Sequence, residues 1–362
     1  MKHTLSILLS VLFCLSASAQ TISWHNAADL TIIGKPMQTA KPFTRIDTAM
    51  YKFNDKTIDC YAGYSTGLAV LFETDSRTIR ARWTTGSGNS GDNMAAIGQK
   101  GLDLYIMKDG RWVFAGVGRP DMKKAPFSHH ESKIVSDMPE GNKQCLLYLP
   151  LFDRTDCLEI GIDEESEIRS LANPFSHRIV VHGSSITHGA SASRPGMTYP
   201  ARFGRDNGLY CMNLGFSGTC ELQKEYAEYL ADIEDVDAFI FDTFSNPDAG
   251  EIRERFDEFV DIVMRAHPDV PMIFLQTVRR ETRNFSMSKE EYDAAKQAAA
   301  VQEVTERMKT DRHIYFIDSV DFLGNEHIAT ADGTHPTDLG FTYMLEAMSP
   351  KIKKILKKYG IR

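Results

Sequence analysis

The chain has 362 residues, of which 49 are acidic and 41 are basic, so its formal net charge is −8 at neutral pH. Hydrophobic residues make up 42% and charged residues 25% of the chain, which is typical of a globular protein and excludes a disordered one. The acidic excess argues against a nucleic-acid partner, because binding a polyanion requires a basic surface. No apolar run approaches the ~18 residues that a membrane span needs, and the length allows two domains of roughly 150 residues each.

The N-terminus has the pattern of a secretory signal. A basic start is followed by the apolar stretch Leu5–Leu15 and then by small residues that include Ala17 and Ala19. This combination of a basic segment, an apolar segment and a small-x-small cleavage site is typical of a signal peptide. We therefore expect removal of residues 1–19, with cleavage after Ala19, and a secreted or periplasmic mature protein.

Five cysteines follow that segment, an odd number that does not suit a disulfide scaffold. Cys145 and Cys157 lie in two apolar segments that could form neighbouring strands, so a bridge between them stays open as an alternative. We favour buried free thiols. No pair of cysteines has the spacing of a zinc site, and the nearest histidines, His129 and His130, are predicted to lie in a polar loop.

Short strands are predicted along the chain up to about residue 170. Thr78–Trp83 alternates apolar and charged residues with a period of two, as a half-buried strand does. Turn residues separate it from further candidate strands, which are Leu68–Phe72, Leu102–Met107, Trp112–Val117, Cys145–Leu151 and Leu158–Ile162. Many short strands at this spacing, without a long helix between them, predict an antiparallel β-sandwich of the jelly-roll type over residues 20–174.

From about residue 175 the pattern changes to alternating strands and helices. Strands are predicted at Ile179–Val181, Leu209–Leu214, Ala238–Phe241, Met272–Leu275 and Ile314–Ile317, and helices at 220–232, 250–266, 288–309 and 337–358. Continuous apolar strands that alternate with helices predict an α/β domain over residues 175–362, with a parallel sheet covered on both faces. Ligands of such sheets bind at the carboxyl ends of the strands.

Two motifs in the first half are poor candidates for function. Gly63–Gly67 fits the G-x-S-x-G elbow of α/β-hydrolases, but that elbow requires a strand before it and a helix after it. A strand is predicted directly after this segment, so we favour a hairpin turn over a catalytic Ser65. Gly86–Gly91 fits the G-x-G-x-x-G pattern of dinucleotide-binding sites, but no helix is predicted to follow, so we favour a flexible loop.

Polar residues follow the predicted strands of the second half at the edge where a ligand should bind. Ser185 comes after the first strand, Gly218 after the second and Asn246 after the third, while Asp332 and His335 precede the last helix. A serine attacks an ester only when a histidine accepts its proton, and a carboxylate must hold that histidine in the right tautomer. The oxyanion that forms needs preorganised donors. These residue types are therefore the ones required for ester hydrolysis.

The same segments resemble the sequence blocks of the SGNH (GDSL-like) hydrolases, and they occur in the family's order. Gly183–Ile186 is similar to the G-D-S-L block and Asp332-x-x-His335 to the last block. The resemblance implies a flavodoxin-like three-layer fold, with Ser185 as nucleophile and with Asp332 and His335 as its catalytic partners. It implies neither a metal nor a cofactor.

The second and third blocks of the family supply the oxyanion hole. Gly218 matches the glycine of the second block and Asn246 matches the asparagine of the third. The resemblance therefore implies an oxyanion hole made by the amides of Ser185 and Gly218 and by the side chain of Asn246. The chain departs from the family pattern at Ser184, Thr219 and Pro247, each of which replaces an aspartate.

Another resemblance covers the first half, where Gly101–Tyr105 is similar to the G-x-D-L-Y motif of a β-rich domain that precedes some SGNH esterases. Within this motif, Asp103 and Tyr105 are expected to be structural, with a contribution to the mouth of the site as the alternative. Two histidines near the nucleophile, His182 and His188, are also expected to be structural or to line the pocket.

The resulting hypothesis is a secreted serine esterase that hydrolyses acyl esters, acetyl esters first, on carbohydrate. A small molecule or an oligosaccharide ester is the expected substrate, without nucleic acid or stable membrane insertion. One alternative is a lipase-like acylhydrolase that acts on longer acyl chains. The other is a glycan-binding protein without activity on an SGNH scaffold.

Overall fold

The structure is a computed structural model that describes residues 21–88, 91–123 and 125–362. The predicted signal segment, residues 1–19, lies outside the described residues. None of the helices in the described part of the chain is both long and apolar enough to cross a membrane.

The described residues of the first half form short strands, two short α-helices and a single-turn 3₁₀ helix at Ala27–Asp29. In chain order the strands and α-helices are β1 (Ile22–Asn26), β2 (Thr31–Ile33), α1 (Lys56–Ala62), β3 (Ala69–Thr74), β4 (Ile79–Thr85), α2 (Ala96–Lys100), β5 (Leu102–Lys108), β6 (Arg111–Gly118), β7 (His129–Val135), β8 (Lys143–Tyr148), β9 (Thr155–Asp163) and β10 (Ile168–Ser170). The strands form two antiparallel sheets. One sheet has the order β1-β9-β4-β7, and the other has the order β10-β3-β8-β5-β6 with β2 beside β3.

The two sheets pack face to face, which confirms the predicted sandwich. Trp83 and Ile160 from the smaller sheet share one buried cluster with Phe72, Leu104 and Leu147 from the larger sheet. The side chains of β4 alternate between the core and the surface along the strand, because successive residues of a strand point to opposite faces. The period of two in the sequence therefore identified the inward face correctly.

Two local predictions for this half are wrong. His129 and His130 begin β7 instead of lying in a loop, and the His130 ring is buried 5.1 Å from that of Trp83. The Gly63–Gly67 segment joins α1 to β3 and is not a hairpin turn. Its Ser65 is fully buried and follows a helix instead of a strand, which is the reverse of a nucleophile elbow. The α1 helix was missed because tertiary packing determines so short a helix.

The cysteines are all unbridged in the described part of the chain. Cys145 lies in β8 and Cys157 in β9, and these strands belong to different sheets, so the two segments are not neighbouring strands. Cys145 and Cys220 are buried thiols, as expected. The prediction is wrong for Cys157 and Cys60, whose side chains are exposed.

The second half alternates strands and helices. These are β11 (Ser176–Gly183), α3 (Ser185–His188), α4 (Tyr199–Asn207), β12 (Leu209–Gly215), α5 (Lys224–Ala231), β13 (Ala238–Asp242), α6 (Ala249–Ala266), β14 (Met272–Leu275), α7 (Met287–Arg307), β15 (Ile314–Ile317) and α8 (Asp338–Leu356). The strands pair in parallel in the order β12-β11-β13-β14-β15. This order is that of flavodoxin-like folds and confirms the predicted fold class.

Both faces of the parallel sheet are covered by helices. Val180 and Phe241 point into a cluster with α5, α6 and α7, while Ile179 and Ile240 point into one with α4 and α8. Side chains of the first half, Ile46 among them, also belong to the α5–α7 cluster. The two halves therefore share buried packing, and the division of the chain at residues 174 and 175 stays a prediction.

Candidate active site

The site lies at the carboxyl edge of the parallel sheet, where the strand order reverses. Gly183, the last residue of β11, pairs with Gly215 of β12 on one side and with Asp242 of β13 on the other. Neighbouring strands are about 4.8 Å apart, so the loops that follow these three strands start side by side. Such a reversal opens a crevice in which ligands of open α/β sheets bind.

Ser185 is the first residue of α3, directly after β11. Ser184 caps this helix in an extended conformation, and its Oγ accepts from the Ile186 N–H at 3.3 Å. The first N–H groups of a helix have no acceptor within it, so the Ser185 N–H is available to a ligand. Glycine is required at position 215, because a Cβ there would stand 2.0 Å from the His188 backbone nitrogen. The helix can therefore approach β12 closely and hold Ser185 at the crevice.

Hydrogen bonds connect three of the predicted residues in a relay. Ser185 Oγ lies 2.9 Å from His335 Nε2, and His335 Nδ1 lies 2.7 Å from Asp332 Oδ2. The other carboxylate oxygen, Oδ1, accepts from the backbone N–H groups of Thr334 and His335 at 2.9 and 2.8 Å. The turn between Asp332 and His335 thereby holds both the carboxylate and the imidazole ring. A donor at Nδ1 leaves Nε2 free to accept a proton from the serine.

The Asp332 carboxylate is held in its ionised form. Partial burial raises its pKa, but hydrogen bonds from the His335 backbone, the His335 ring, Asn93 and Thr334 outweigh burial, so the pKa lies well below its ordinary value. Asn93 comes from the first half, and its Nδ2 donates to Asp332 Oδ2 at 2.9 Å. Asn93 was not predicted from the sequence, since no local pattern distinguishes it from any polar loop residue.

Gly218 lies in the turn that follows β12. The turn is anchored to the sheet, because the Phe216 N–H donates to the Gly183 carbonyl at 2.8 Å. The Ser217 N–H also lies 3.4 Å from His188 Nδ1. Gly218 has a φ of +71°, a conformation that glycine adopts without steric cost. The structure therefore places Gly218 on the β12 side of the crevice.

Asn246 lies in the loop that follows β13, on the opposite side of the crevice. Its Oδ1 is enclosed and receives no hydrogen bond within the described part of the chain. The preceding carbonyl, that of Ser245, accepts from the buried Lys296 Nζ at 2.9 Å and also from Arg280. Burial, together with the charge of Arg280, lowers the pKa of Lys296 to about 8. Two cationic side chains thus fix the backbone just before Asn246.

The five predicted site residues therefore differ in how directly the structure connects them. Ser185, His335 and Asp332 form one hydrogen-bonded relay. Gly218 and Asn246 flank it on the neighbouring strands, and no hydrogen bond joins either of them to the relay among the described residues.

The two histidines near Ser185 are part of the packing. His182 is buried with its Nδ1 3.0 Å from the Leu214 carbonyl, and burial lowers its pKa to about 3. His188 stacks on Phe152 with ring centroids 3.9 Å apart, and its Nε2 lies 2.8 Å from the Leu151 carbonyl. Burial also holds the pKa of His188 well below its ordinary value. Both rings are therefore neutral, and His188 connects the second half to the first.

The G-x-D-L-Y motif fastens the first half to the segment that follows α3. Asp103 Oδ2 accepts from the Gly196 N–H at 2.9 Å, and Oδ1 lies 3.2 Å from Arg194 Nε. Burial raises the pKa of Asp103 to about 6, although Arg194 opposes the shift. The Arg205 guanidinium lies 4.0 Å from the centre of the Tyr105 ring. The motif therefore has a structural role in the contact between the two halves.

Comparison with known proteins identifies the family. The model of the GDSL-like lipase/acylhydrolase family matches residues 176–353, and that of the GxDLY N-terminus of SGNH-hydrolase-type esterases matches residues 22–168. A crystal structure described as a GDSL-like lipase from Bacteroides ovatus is 45% identical, with a TM-score of 0.89, and the match covers 93% of this chain and 98% of that one. A comparison with curated protein sequences found no match.

More distant structures share the fold. The salicylyl-acyltransferase SsfX3 of a tetracycline biosynthetic pathway is 19% identical, with a TM-score of 0.71, over 94% of this chain and 99% of that one. A family two carbohydrate esterase from Cellvibrio japonicus is 12% identical, with a TM-score of 0.59, over 93% and 98%. The matches of sequence and structure agree along both halves. The chain is therefore a carboxylic ester hydrolase that belongs to the GDSL-like lipase/acylhydrolase (SGNH hydrolase) family, with a GxDLY domain at its N-terminus.

Proposed function

We propose that the protein is a secreted serine esterase that removes acetyl groups from carbohydrate. The observation that carries the proposal is the relay from Ser185 through His335 to Asp332, with contacts of 2.9 and 2.7 Å. A serine hydroxyl paired with an imidazole, which a carboxylate orients in turn, is the arrangement that activates serine for attack on an acyl group.

The mechanism follows from the hydrogen bonds. Ser185 Oγ attacks the carbonyl carbon of the ester while His335 Nε2 takes the hydroxyl proton. Asp332 accepts the Nδ1 proton of His335 in a hydrogen bond and stabilises the imidazolium that forms. When the bond to the alcohol breaks, His335 donates its proton to the leaving oxygen and an acyl-enzyme remains. Water then attacks the acyl-enzyme by the same route, which releases the acid and restores Ser185.

The negative oxygen of the tetrahedral intermediate would be bound by the N–H groups of Ser185 and Gly218 and by the Asn246 carboxamide. Support comes from their positions after β11, β12 and β13, which end side by side at Gly183 and its partners. One donor of this kind contributes roughly 3–4 kcal/mol to stabilisation of the transition state. The cations that hold the Ser245 carbonyl restrict the loop that carries Asn246.

Carbohydrate is proposed as the alcohol on two grounds. The Asp332 and His335 side chains are 35% and 21% exposed, so the relay is open to solvent on this side, which suits a polar leaving group. The chain also shares its fold with family two carbohydrate esterases, one of which, from Clostridium thermocellum, was solved in complex with cellohexaose. Secretion rests on the predicted signal at residues 1–19 and suits a substrate outside the cell.

A second candidate, hydrolysis of longer acyl chains, has one observation in its favour. Phe285 and Met287 are 104% and 82% exposed. They follow Thr282, whose N–H donates at 3.1 Å to the carbonyl of Gly333, the residue after Asp332. Exposed apolar side chains on the segment that is bonded to the Asp332–His335 turn would suit a lipid-like acyl chain.

The test is an assay of the purified mature protein on p-nitrophenyl acetate, butyrate and octanoate and on acetylated oligosaccharides. We expect kcat/KM to be highest for acetyl esters, acetate to be released from the oligosaccharides, and Phe285→Ala to leave acetyl hydrolysis unchanged. A preference for octanoate, with a KM that Phe285→Ala raises, would support the longer-chain substrate instead. Glycan binding without turnover of any ester would contradict both candidates.

A further inference from the structure

The first half of the chain supplies a side chain to the relay. We infer that Asn93 is a positioning residue of the esterase, which holds the Asp332 carboxylate so that His335 is correctly oriented. The inference rests on the proposed function, because it assigns Asn93 a role in the same relay. The GxDLY domain would then contribute a side chain to the active site as well as packing against the catalytic half.

Asn93 reaches the side of the carboxylate that faces the imidazole. Its Nδ2 lies 2.9 Å from Asp332 Oδ2 and 3.2 Å from His335 Nδ1. Asp332 Oδ2 therefore accepts from both Asn93 and His335, while Oδ1 accepts from two backbone N–H groups. Each oxygen of the carboxylate thus accepts two hydrogen bonds, which together fix the plane of the carboxylate.

The physical consequence concerns orientation. Without Asn93, Oδ1 would keep its two backbone donors, but Oδ2 would keep only the imidazole as a donor from the described residues, so the Oδ2 side of the carboxylate would be less restrained. His335 would then sample positions in which Nε2 no longer faces Ser185. Because proton transfer depends on that geometry, loss of Asn93 should lower kcat more than it changes KM.

The loop that carries Asn93 is braced on both sides. Gln99 Nε2 donates to the carbonyls of Gly91 and Met94 at 3.2 and 3.3 Å. Asn93 lies between these two carbonyls, so it loses less conformational freedom when it contacts Asp332.

The loop is also pressed against the second half. A Cβ at Gly98 would stand 2.6 Å from the Ala192 carbonyl, so α2 approaches the segment after α3 closely. The Met94 side chain packs on the buried cluster that includes Ile186 and Ala192. Movement of the first half would therefore displace Asn93 from Asp332 directly.

A double-mutant cycle tests the inference. Asn93→Ala should lower kcat by about 10–100-fold, the usual effect of losing one hydrogen bond to a charged group, with KM changed little. In an Asp332→Ala background the same substitution should have no further effect on kcat, because Asn93 acts through that carboxylate. Asn93→Asp should be more damaging than Asn93→Ala, since it places an acceptor and a negative charge against Oδ2.

Two further variants keep the test decisive. Asp92→Ala, at the exposed neighbouring position, is the matched control and should leave kcat unchanged. Gln99→Leu loosens the loop without touching the relay, so it should lower kcat in the wild type and have little effect once Asn93 is alanine. Melting temperatures measured for all variants separate folding losses from catalytic ones.

The outcomes distinguish the inference from the proposed function. Normal kcat in Asn93→Ala, or losses that add fully in the Asp332→Ala background, would overturn the role of Asn93 while Ser185→Ala remained inactive. If Asn93→Ala lowered the stability but left kcat per folded molecule normal, Asn93 would have only a structural role in the contact between the two halves. Full activity of Ser185→Ala would instead overturn the proposed function itself.

Discussion

Ser185 Oγ and His335 Nε2 lie 2.9 Å apart, although 150 positions of the chain separate the two residues. The contact exists because β11 and the segment before α8 reach the same edge of the parallel sheet. The serine is held by a capped helix, while the histidine is held by a turn bonded to Asp332. The relay is therefore assembled from two parts of the chain, each of which begins from local hydrogen bonds of its own.

The hydroxyl of Ser185 is expected to be indispensable. Ser185→Ala should lower kcat by at least ~10⁴-fold, because no other group forms the acyl-enzyme. Its melting temperature should stay near that of the wild type. Ester turnover and thermal unfolding are the measurements.

Ser65→Ala is the control for that variant and should show the opposite pattern. Ser65 Oγ donates to the Phe43 carbonyl at 2.7 Å and accepts from the Thr155 N–H at 2.9 Å, both in the buried interior. Its loss should cost about 1–3 kcal/mol of stability and leave kcat unchanged. An inactive Ser65→Ala enzyme beside an active Ser185→Ala enzyme would refute the assignment of the nucleophile.

Substitution of Asn246 should change kcat more than KM, because a hydrogen bond to the oxyanion strengthens as charge develops in the transition state. Asn246→Ala should lower kcat by ~10²–10³-fold. Asn246→Asp should be at least as damaging, since it introduces negative charge where a donor is needed. If Asn246 only supports the Pro247 turn, the aspartate would be the milder change and stability would fall instead. Steady-state kinetics and melting curves of both variants decide between these roles.

Asp242 should make stability depend on pH. Burial raises its pKa to about 7 from an ordinary 3.8, against the opposing hydrogen bonds from Thr187 and Tyr199. The folded state therefore keeps a proton that the unfolded state has already lost, so stability falls as the pH rises from about 4 to about 7. Asp242→Asn removes this titration and keeps an acceptor for Thr187. Relative to the wild type it should gain stability over that range, by up to roughly 4 kcal/mol.

Urea unfolding of both proteins at pH 4.5 and pH 8 measures the effect. The control is Asp248→Asn, because the Glu251 backbone hydrogen bond in the cap of α6 lowers the pKa of Asp248, so this carboxylate is almost fully ionised in the folded and unfolded states across this pH range. The stability difference between that variant and the wild type should therefore be nearly the same at pH 4.5 and pH 8. A stability difference for Asp242→Asn that does not change with pH would contradict the prediction.

Chelators such as EDTA should not inhibit the enzyme. The relay supplies a nucleophile and a base without a metal, and in residues 21–88, 91–123 and 125–362 no three His, Cys, Asp or Glu side chains are grouped to hold a metal ion. Activity that disappears on chelation and returns with zinc would refute this mechanism. Dialysis against EDTA followed by a turnover assay is sufficient.

The fold was predictable because its signals are local. Alternation with a period of two marked β4, and continuous apolar runs marked β11 to β15, since burial of one or both faces of a strand dictates these patterns. The short helices α1, α2 and α3 were not predicted, because packing against other elements, rather than their own few residues, stabilises them. His130 was misplaced for a similar reason. A polar ring can be buried when an aromatic partner packs against it from the neighbouring strand, as Trp83 does here.

The candidate site also has parts that could be predicted from local sequence and parts that could not. The positions of Ser185, Gly218, Asn246, Asp332 and His335 at strand ends could be read from the sequence, because strand ends and turns leave local patterns. The contact of Asn93 with Asp332 could not, since it joins the two halves across 239 positions. Nor could the cations on the Ser245 carbonyl, because Lys296 comes from the distant helix α7. Local composition determines which strands and helices form and which residues lie at their ends, whereas only packing between these elements decides which side chains come into contact.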